Sequence, residues 1–337
     1  MTYAVETEDL VRIFAAAKKR RRKKNAEAGE RANAGPVTAL DGVNLQIREG
    51  ELFGMLGPNG AGKTTLIKIL CTLLLPTRGR AFVAGHDVTK DEFPIRQRIN
   101  MVSGGETSGY GLLTARENIW MFSQFYGVPS SVAKERIDEL MVTFGLSDKR
   151  DAKVRTLSSG QRQKMNMIRG FVTDPDILFL DEPTLGLDVN ASRVIRDYVM
   201  GWVRKGSGKT VLLTTHYMME ADEMCDRIAV IDRGRILACD SPENLKRSIR
   251  QDRTFRLEVD ALKNASAFSG IPGVKNFSFK DDIAKNTTNL TFILDGEGPV
   301  SDILSAVAGQ GSKVHSLQKS EPTLEDVFIS MVGRGLE

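Results

Sequence analysis

The sequence contains few cysteines, few histidines and no long apolar run, and each of these features excludes a class of protein. Its three cysteines, Cys71, Cys225 and Cys239, have the spacing of neither a metal site nor a disulfide framework, so we expect a reducing compartment. His86 and His315 have no neighbours at metal-ligand spacing, and we assign them no role. No apolar run approaches the roughly 20 residues that span a bilayer, and the first residues lack the pattern of a signal peptide. We therefore expect a chain that transports nothing alone.

The length and composition suggest two soluble globular domains. The chain has 337 residues, of which 41% are apolar and 27% charged. Its composition changes after about residue 248, so we place a first domain at 1–248 and a second at 249–337.

The second domain is expected to mix strands and helices. Apolar residues alternate with polar ones at 255–259 and 290–294, which predicts two half-buried strands. Apolar residues at helical spacing in 300–307 and 324–331 predict two helices. This mixture indicates a small C-terminal α+β accessory domain.

A glycine-rich turn gives the strongest functional signal in the chain. It fits the pattern G-x-x-x-x-G-K-[ST], with a strand-like apolar segment before it and helical spacing after it. Its residues are Gly57, Pro58, Asn59, Gly60, Ala61, Gly62, Lys63, Thr64 and Thr65. Backbone N–H groups of such a turn, together with the start of the helix, bind phosphate oxygens. Lys63 can then reach the β- and γ-phosphates and the Thr64 hydroxyl can ligate magnesium, which predicts nucleotide binding.

Kinases, GTPases and motor ATPases share that loop, so later segments have to narrow the choice. The run Ile177–Leu180 is apolar and is followed by Asp181 and Glu182, the form of a buried parallel strand that ends in acids. We expect Asp181 to hold the magnesium shell and Glu182 to activate the attacking water. The alternative is a strand that merely ends in an acidic turn.

Three more segments add candidate groups. Leu157-Ser-Ser-Gly-Gln161 precedes a helical run, and its serines can be a helix cap or a second anion site. His216 ends the apolar strand 210–214, where ligands bind in α/β sheets. Asp188 follows Glu182 closely enough to share its site.

Together these segments resemble, in order and spacing along roughly residues 5–245, the ATP-binding subunits of ABC transporters. GPNGAGKTT resembles the family's Walker A, ILFLDE its Walker B, LSSGQ its signature, LGLD its D-loop and TTH its switch histidine. The resemblance implies a P-loop NTPase with a RecA-like core, a helical subdomain at about 92–173, and ATP and magnesium as cofactors. It also implies a head-to-tail dimer, in which one subunit's Lys63 loop faces the other's signature. The signature residues are Ser158, Ser159, Gly160 and Gln161.

The resemblance assigns roles to single residues as well. It makes His216 a contact of the γ-phosphate, Asp188 a crosstalk residue across the dimer interface, and Phe14 the ring that stacks on adenine. Thr64 and Asp181 become the metal-binding residues.

The chain departs from the family pattern at two places. The family usually has a glutamine near the γ-phosphate where this chain has Gly104 or Gly105, which leaves Glu106 or Gln124 as substitutes. Ser159 stands where glycine is commonest, a small-for-small change.

A basic segment interrupts the first domain. The insertion 15–36 contains seven consecutive basic residues, Lys18–Lys24. A solvated tip is the simplest reading of such a charge run, and attraction to anionic lipid is the functional alternative. No aromatic residues interleave the charges, so we expect no nucleic-acid binding.

The helical subdomain carries Trp120, Phe122, Phe125 and Tyr126, which form either a groove for a permease helix or the subdomain's own core. The ending Pro322–Phe328 resembles the tail of drug, antibiotic and polysaccharide exporter ATPases. We therefore expect an ATP-hydrolysing exporter subunit on the cytoplasmic face of the cell membrane, bound to a separate permease. The alternatives are a soluble ABC-type ATPase of DNA repair or translation and a nucleotide switch without hydrolysis.

Overall fold

The structure is a computed structural model with two compact units, Met1–Ile236 and Leu237–Glu337. It describes residues 2–15, 35–104, 109–205, 208–249, 253–262, 268, 270–282, 285–296, 298–320 and 322–333. The basic run Lys18–Lys24 and the residues Gly105 and Glu106 lie outside this part of the chain.

An antiparallel sheet opens the first unit. Its strands are β1 (Tyr3–Phe14), β2 (Val37–Arg48), β4 (Arg78–Val83) and β5 (His86–Asp87), in the order β2-β1-β4-β5. Phe14 at the end of β1 pairs with Val37 at the start of β2. The two residues that flank the insertion therefore lie side by side at one end of a hairpin.

A second sheet forms the centre of the unit. Its strands are β3 (Leu52–Leu56), β6 (Ile99–Ser103), β7 (Ile177–Asp181), β8 (Thr210–Thr215), β9 (Arg227–Asp232) and β10 (Arg235–Asp240), in the order β10-β9-β3-β8-β7-β6. The neighbours from β9 to β6 are parallel. Every residue of β3, β7 and β8 is buried, as their apolar runs predict. The carboxyl ends of these three strands lead into the glycine-rich turn, the acidic turn and His216.

Helices surround this sheet. They are α1 (Lys63–Leu70), α2 (Glu92–Arg98), α3 (Ala115–Phe125), α4 (Ser130–Thr143), α5 (Ser159–Val172), α6 (Val189–Lys205) and α7 (Met218–Met224). Helices α3, α4 and α5 pack on one another within the range 92–173 expected to be helical. The same range also contains the short strand β6, which belongs to the parallel sheet, so the segment is mainly but not wholly helical.

The second unit is an antiparallel sheet with three helices. The elements are α8 (Pro242–Ser248), β11 (Arg253–Asp260), β12 (Val274–Asp282), β13 (Thr287–Leu294), α9 (Pro299–Gly309), β14 (Val314–Ser320) and α10 (Leu324–Val332). The strand order is β12-β13-β11-β14, and one face packs its apolar residues against α9. The predicted strands and helices of this domain are confirmed, whereas β12 and β14 were not predicted.

The two units divide within β10, after Ile236 and before the boundary expected at residue 248, and α8, which packs against α10, falls within the second unit. Across the described part of the chain, no helix has both the length and the apolar character needed to cross a membrane.

Candidate nucleotide-binding site

The glycine-rich turn runs from the end of β3 into α1, and close packing requires two of its glycines. A Cβ at Gly57 would overlap the carbonyl oxygen of Ile231, and one at Gly62 would overlap that of Ala39. Gly62 also has a φ of 111°, a left-handed conformation that L side chains rarely adopt. No side chain caps α1. The backbone N–H groups at the start of α1 therefore have no side-chain cap, which suits this helix start to binding an anion.

Lys63 is held under this turn. Its side chain is 5% exposed, and Nζ donates hydrogen bonds to the carbonyl oxygens of Gly57 at 2.5 Å and Pro58 at 3.3 Å. Nζ also lies 3.5 Å from Glu182 Oε1. Burial lowers the pKa of Lys63, and the nearby Glu182 carboxylate opposes that shift. The Lys63 ammonium is a desolvated positive charge beside the turn, and it can pair with the negative charge of a phosphate.

Both carboxylate oxygens of Asp181 accept hydrogen bonds, so this residue links β7 to α1 and to β8. Thr64 Oγ1 donates to Asp181 Oδ2 at 2.7 Å, and Thr214 Oγ1 donates to Oδ1 at 2.6 Å. The Thr64 hydroxyl and the Asp181 carboxylate are hard oxygen ligands of the kind that magnesium takes beside nucleotide phosphates. These two residues, predicted as the metal ligands, therefore lie in contact and fit that ion.

Glu182 and His216 also lie together, as the sequence predicts. Glu182 Oε2 is 3.3 Å from His216 Nδ1, and the two side chains are 18% and 25% exposed. The Glu182 N–H donates to the carbonyl oxygen of Thr214 at 3.0 Å. Glu182 has a φ of 51°, a strained conformation for a residue other than glycine. The carboxylate thus stands between Lys63 and His216, on a turn that is held by the neighbouring strand.

Sequence reasoning missed the residues that support this turn. Glu220 Oε2 accepts hydrogen bonds from Thr184 Oγ1 at 2.9 Å and from Thr215 Oγ1 at 3.3 Å, so it ties the acidic turn to the strand end before His216. Burial raises the pKa of Glu220. Gln163 Nε2 donates to the Pro183 carbonyl oxygen at 2.8 Å. The one available sequence signal was Glu220, an acid four residues after His216, and such an acid also occurs on the exposed face of a helix.

The signature turn begins α5 and is satisfied by its own side chains. Ser158 Oγ accepts from the Gln161 N–H at 3.2 Å, and Gln161 Oε1 accepts from the Ser158 N–H at 3.0 Å. Ser158 and Ser159 are exposed, whereas a Cβ at Gly160 would lie 3.4 Å from Leu187. In the part of the chain that the structure describes, no hydrogen bond or ion pair links this turn to Lys63 or Glu182. Both readings of the serines, helix cap and exposed anion site, remain compatible with this geometry.

Asp188 and Phe14 are exposed in different parts of the unit. Asp188 Oδ1 accepts from the Ala191 N–H at 2.8 Å and so caps the first turn of α6. Phe14 is 38% exposed, and the Arg12 guanidinium lies over its ring at 4.6 Å from the centroid. One face of the Phe14 ring is thus already occupied by a cation.

The structure allows neither Gly104 nor Gln124 to replace the missing glutamine side chain. The Gly104 N–H donates to the Asp181 carbonyl oxygen at 2.7 Å, and a Cβ there would overlap the carbonyl oxygen of Glu182. The Gln124 amide donates to the Val128 carbonyl oxygen at 3.1 Å and accepts from Ser130 Oγ at 2.9 Å. These bonds place Gln124 in the connection between α3 and α4, and Glu106, the other residue considered, lies outside the described residues.

A groove of about 530 Å³ lies on the same unit, and we call it the aromatic groove. Its lining includes Leu73, Phe93, Arg96, Met101, Phe125 and Tyr126. Phe93 is 72% exposed and Phe125 69% exposed. Of the four aromatic residues predicted to form such a groove, Phe125 and Tyr126 line it. Phe122 does not, and the Arg169 guanidinium lies over its ring, 3.3 Å from the centroid. Trp120 lines a separate surface pocket between α3 and α4.

Comparison with known protein families finds two matching segments. Residues 40–185 match the ABC transporter family, and residues 241–332 match the C-terminal domain of DrrA1-3-like ATP-binding proteins. The daunorubicin resistance ATP-binding protein DrrA3 of Streptomyces coeruleorubidus is 36% identical over 307 residues, covering 90% of this chain and 94% of that protein. The daunorubicin/doxorubicin resistance ATP-binding protein DrrA of Streptomyces peucetius is 36% identical over 333 residues, covering 98% and 93%.

Solved structures agree on the fold. An ATP-binding subunit of an ABC transporter superposes with a TM-score of 0.60 at 24% identity, over 73% of this chain and 93% of that one. A dimeric ATP-binding cassette in a post-hydrolysis state, bound to ADP and phosphate, also gives 0.60, at 25% identity over 70% and 98%.

Proposed function

This chain belongs to the ATP-binding subunits of ABC transporters, in the drug-exporter branch, and we propose from that membership which of its residues bind and hydrolyse ATP. The turn Gly57–Thr65 holds the phosphates, with Lys63 as their buried cation. Thr64 and Asp181 hold magnesium, which neutralises phosphate charge when bound. Glu182 orients and deprotonates the attacking water, and His216 contacts the γ-phosphate. The observation that carries this proposal is the placement of Glu182 between Lys63 Nζ, at 3.5 Å, and His216 Nδ1, at 3.3 Å.

Replacing Glu182 by glutamine tests this assignment, because the amide retains the shape of the side chain but is no base. We expect ATP turnover by the purified chain to fall by about 100-fold or more, while ATP binding persists. Glu135, an exposed residue of α4, provides the matched control Glu135→Gln, with turnover unchanged. Unchanged turnover in Glu182→Gln would instead favour the nucleotide switch without hydrolysis.

The exposed signature turn supports the head-to-tail dimer. Ser158, Ser159, Gly160 and Gln161 start a helix of 14 residues, and its dipole and N–H groups suit an anion. The γ-phosphate of an ATP held by a second copy of this chain is the anion that the proposed dimer brings to them. Asp188 follows the acidic turn and carries the crosstalk role, and Phe14 stacks its ring on adenine.

We propose that the aromatic groove receives a cytoplasmic helix of the membrane permease and so attaches this chain to the membrane. Phe93 and Phe125 expose more apolar surface than an isolated ATPase needs, and such patches mark interaction sites. Phe125→Asp should abolish co-purification with the permease from detergent-solubilised membranes and leave the ATPase rate of the purified chain unchanged. Phe279, which is 52% exposed in the second unit, provides the control Phe279→Asp. Undiminished recovery of the permease with Phe125→Asp would refute this docking site.

The names of the relatives suggest a cargo class. Two of them confer daunorubicin or doxorubicin resistance, and linearmycin resistance is the role of a third, from Bacillus subtilis, which is 30% identical over 307 residues. We infer that the transported molecule belongs to such antibiotics, and co-expression with the permease should raise the inhibitory concentration of one of them. Loss of that gain in Glu182→Gln would tie it to hydrolysis. No relative named here serves DNA repair or translation, so a soluble ATPase of that kind is not favoured.

Lys18–Lys24 supports a separate proposal of lipid contact, based on charge alone. Each basic residue near an anionic surface contributes about 1 kcal/mol of attraction. Replacing all seven by glutamine should weaken binding to vesicles containing phosphatidylserine without changing the ATPase rate. Equal vesicle binding by both proteins would remove the proposal.

A further inference from the structure

Gly104 stands at the end of β6, directly against the turn that carries Glu182. Its N–H donates to the Asp181 carbonyl oxygen at 2.7 Å, one residue beyond the β6–β7 pairing of Ser103 with Asp181. A Cβ at Gly104 would overlap the Glu182 carbonyl oxygen and lie 3.3 Å from that of Asp181. The φ of Gly104 lies outside the left-handed region, so the position requires glycine for its lack of volume and not for its conformation.

The other side of the same turn is held by β8. The Glu182 N–H donates to the Thr214 carbonyl oxygen at 3.0 Å, and Thr214 Oγ1 donates to Asp181. The peptide planes around Glu182 are therefore clamped between two strands, in the strained conformation with a φ of 51°. Any group that pushes on the Glu182 carbonyl must rotate this turn, and the carboxylate rotates with it.

We propose that Gly104 is a positioning residue for the Glu182 carboxylate, because its missing side chain allows the strained turn to approach β6. The inference rests on the proposed role of Glu182 as the general base. It also fits the departure from the family pattern, because in this structure a side chain at position 104 would meet the Glu182 carbonyl oxygen.

The test is Gly104→Ala, compared with two other glycine-to-alanine changes in the same unit. A displaced base lowers kcat by about 10- to 100-fold, and KM for ATP stays within about twofold because Lys63 and the phosphate turn are untouched. In Gly170→Ala the new Cβ overlaps the Val102 side chain of β6 and not the acidic turn, so the packing is disturbed while kcat is retained. Gly201→Ala adds a Cβ with nothing within 4 Å, and leaves both constants unchanged. An equal loss of kcat in Gly170→Ala and Gly104→Ala would overturn the proposal.

A double substitution separates positioning from general destabilisation. If Gly104 acts through Glu182, adding Gly104→Ala to Glu182→Gln produces no further loss of the residual turnover. A further loss of the same size as in the wild-type background would contradict the inference. Unchanged kcat in Gly104→Ala beside a strong loss in Glu182→Gln refutes this inference alone, whereas unchanged turnover in Glu182→Gln refutes the proposed function.

Hydrogen exchange on the unsubstituted protein tests the same contact and does not depend on a variant that folds. Addition of ATP and magnesium should increase amide protection in peptides covering 99–104 and 177–182 together, because the hydrogen bond from Gly104 to Asp181 couples them. Protection of the second peptide with no change in the first would overturn the proposal.

Discussion

The phosphate turn and the signature turn both start a helix, but they satisfy that helix start in opposite ways. No side chain caps α1, and the buried Lys63 beneath its first turn is bonded to loop carbonyls. Helix α5 is capped by Ser158, in a reciprocal pair with Gln161, and Ser158 and Ser159 are exposed. The start of α1 therefore has no side-chain cap to compete with a ligand, whereas the start of α5 is satisfied by its own side chains.

This contrast fits a chain that contains two separate sets of groups, each of which would form half of a nucleotide site. Lys63 and Thr64 of α1 meet Asp181 and Glu182 at the end of β7 through contacts of 2.7–3.5 Å. In the proposed dimer, the signature residues of the partner would supply the other half of the site. A head-to-tail pair of such chains would complete two sites, which is the arrangement proposed above.

Among changes to the two turns, the largest expected effect comes from removing the cation of the phosphate turn. Lys63→Met should weaken ATP binding by about 10- to 100-fold, the usual size for a charged hydrogen bond. The melting temperature should change little, because the lost Nζ hydrogen bonds to Gly57 and Pro58 are offset by the replacement of a desolvated ammonium with an apolar side chain. Isothermal titration and thermal unfolding measure the two quantities. Lys68→Met, an exposed lysine of the same helix, is the control, and equal weakening there would mean that net charge and not the turn is responsible.

Mixing two inactive variants tests whether the two turns meet between chains. Lys63→Met and Ser158→Ala each disable both sites of a homodimer. A mixed dimer has one site with the unaltered turn of each chain, so random exchange should restore up to about a quarter of the wild-type turnover. Steady-state ATPase assays of the mixture measure this recovery. Absence of recovery in a mixture whose subunits have exchanged would place the signature in the same chain's site.

A smaller effect, on the free energy of unfolding, tests whether Ser158 acts as a helix cap. Ser158→Ala removes the capping hydroxyl and should lower the free energy of unfolding of the chain by about 1 kcal/mol. Ser159→Ala, at an exposed neighbour that makes no cap, should change it by less than about 0.5 kcal/mol. Urea unfolding compares the two variants. Equal losses would show that the reciprocal pair of Ser158 with Gln161 does not stabilise α5.

The smallest effect concerns the support of the acidic turn by Glu220. Because its folded pKa is raised above the unfolded value, Glu220 stabilises the fold fully at low pH and loses that contribution as the pH rises through the folded pKa. Glu220→Gln retains an acceptor without the charge, so it should equal the wild type near pH 4 and exceed its unfolding free energy at pH 8 by about 0.5–1 kcal/mol. Glu135→Gln, a change at an exposed acid of α4, should give a difference that does not grow with pH. A Glu220→Gln variant less stable at pH 8 than at pH 4, relative to wild type, would contradict this account.

Sequence patterns predicted most of the elements whose signal is local. The buried strands β3, β7 and β8 are apolar runs, and the phosphate turn follows one of them, so both the turn and its place in the sheet could be inferred. The strands β12 and β14 were missed because they are edge strands with few buried residues, and Phe279 and Leu317 alternate there with polar groups on exposed positions. At such edges the period of apolar residues is weak.

The amino-acid order alone determined which groups are proposed to bind phosphate, magnesium and water, because a glycine-rich turn, a strand that ends in two acids and a strand that ends in histidine are each contiguous in the chain. Only the folded arrangement decided how they are held. Gly104 and Glu220 reach the acidic turn from β6 and α7, segments separated from it by tens of residues. No local sequence pattern shows that position 104 has no room for a side chain, or that the carboxyl group of Glu220 is buried. Both properties arise from the packing of neighbouring strands, and steric overlap and desolvation exist only once those strands are adjacent.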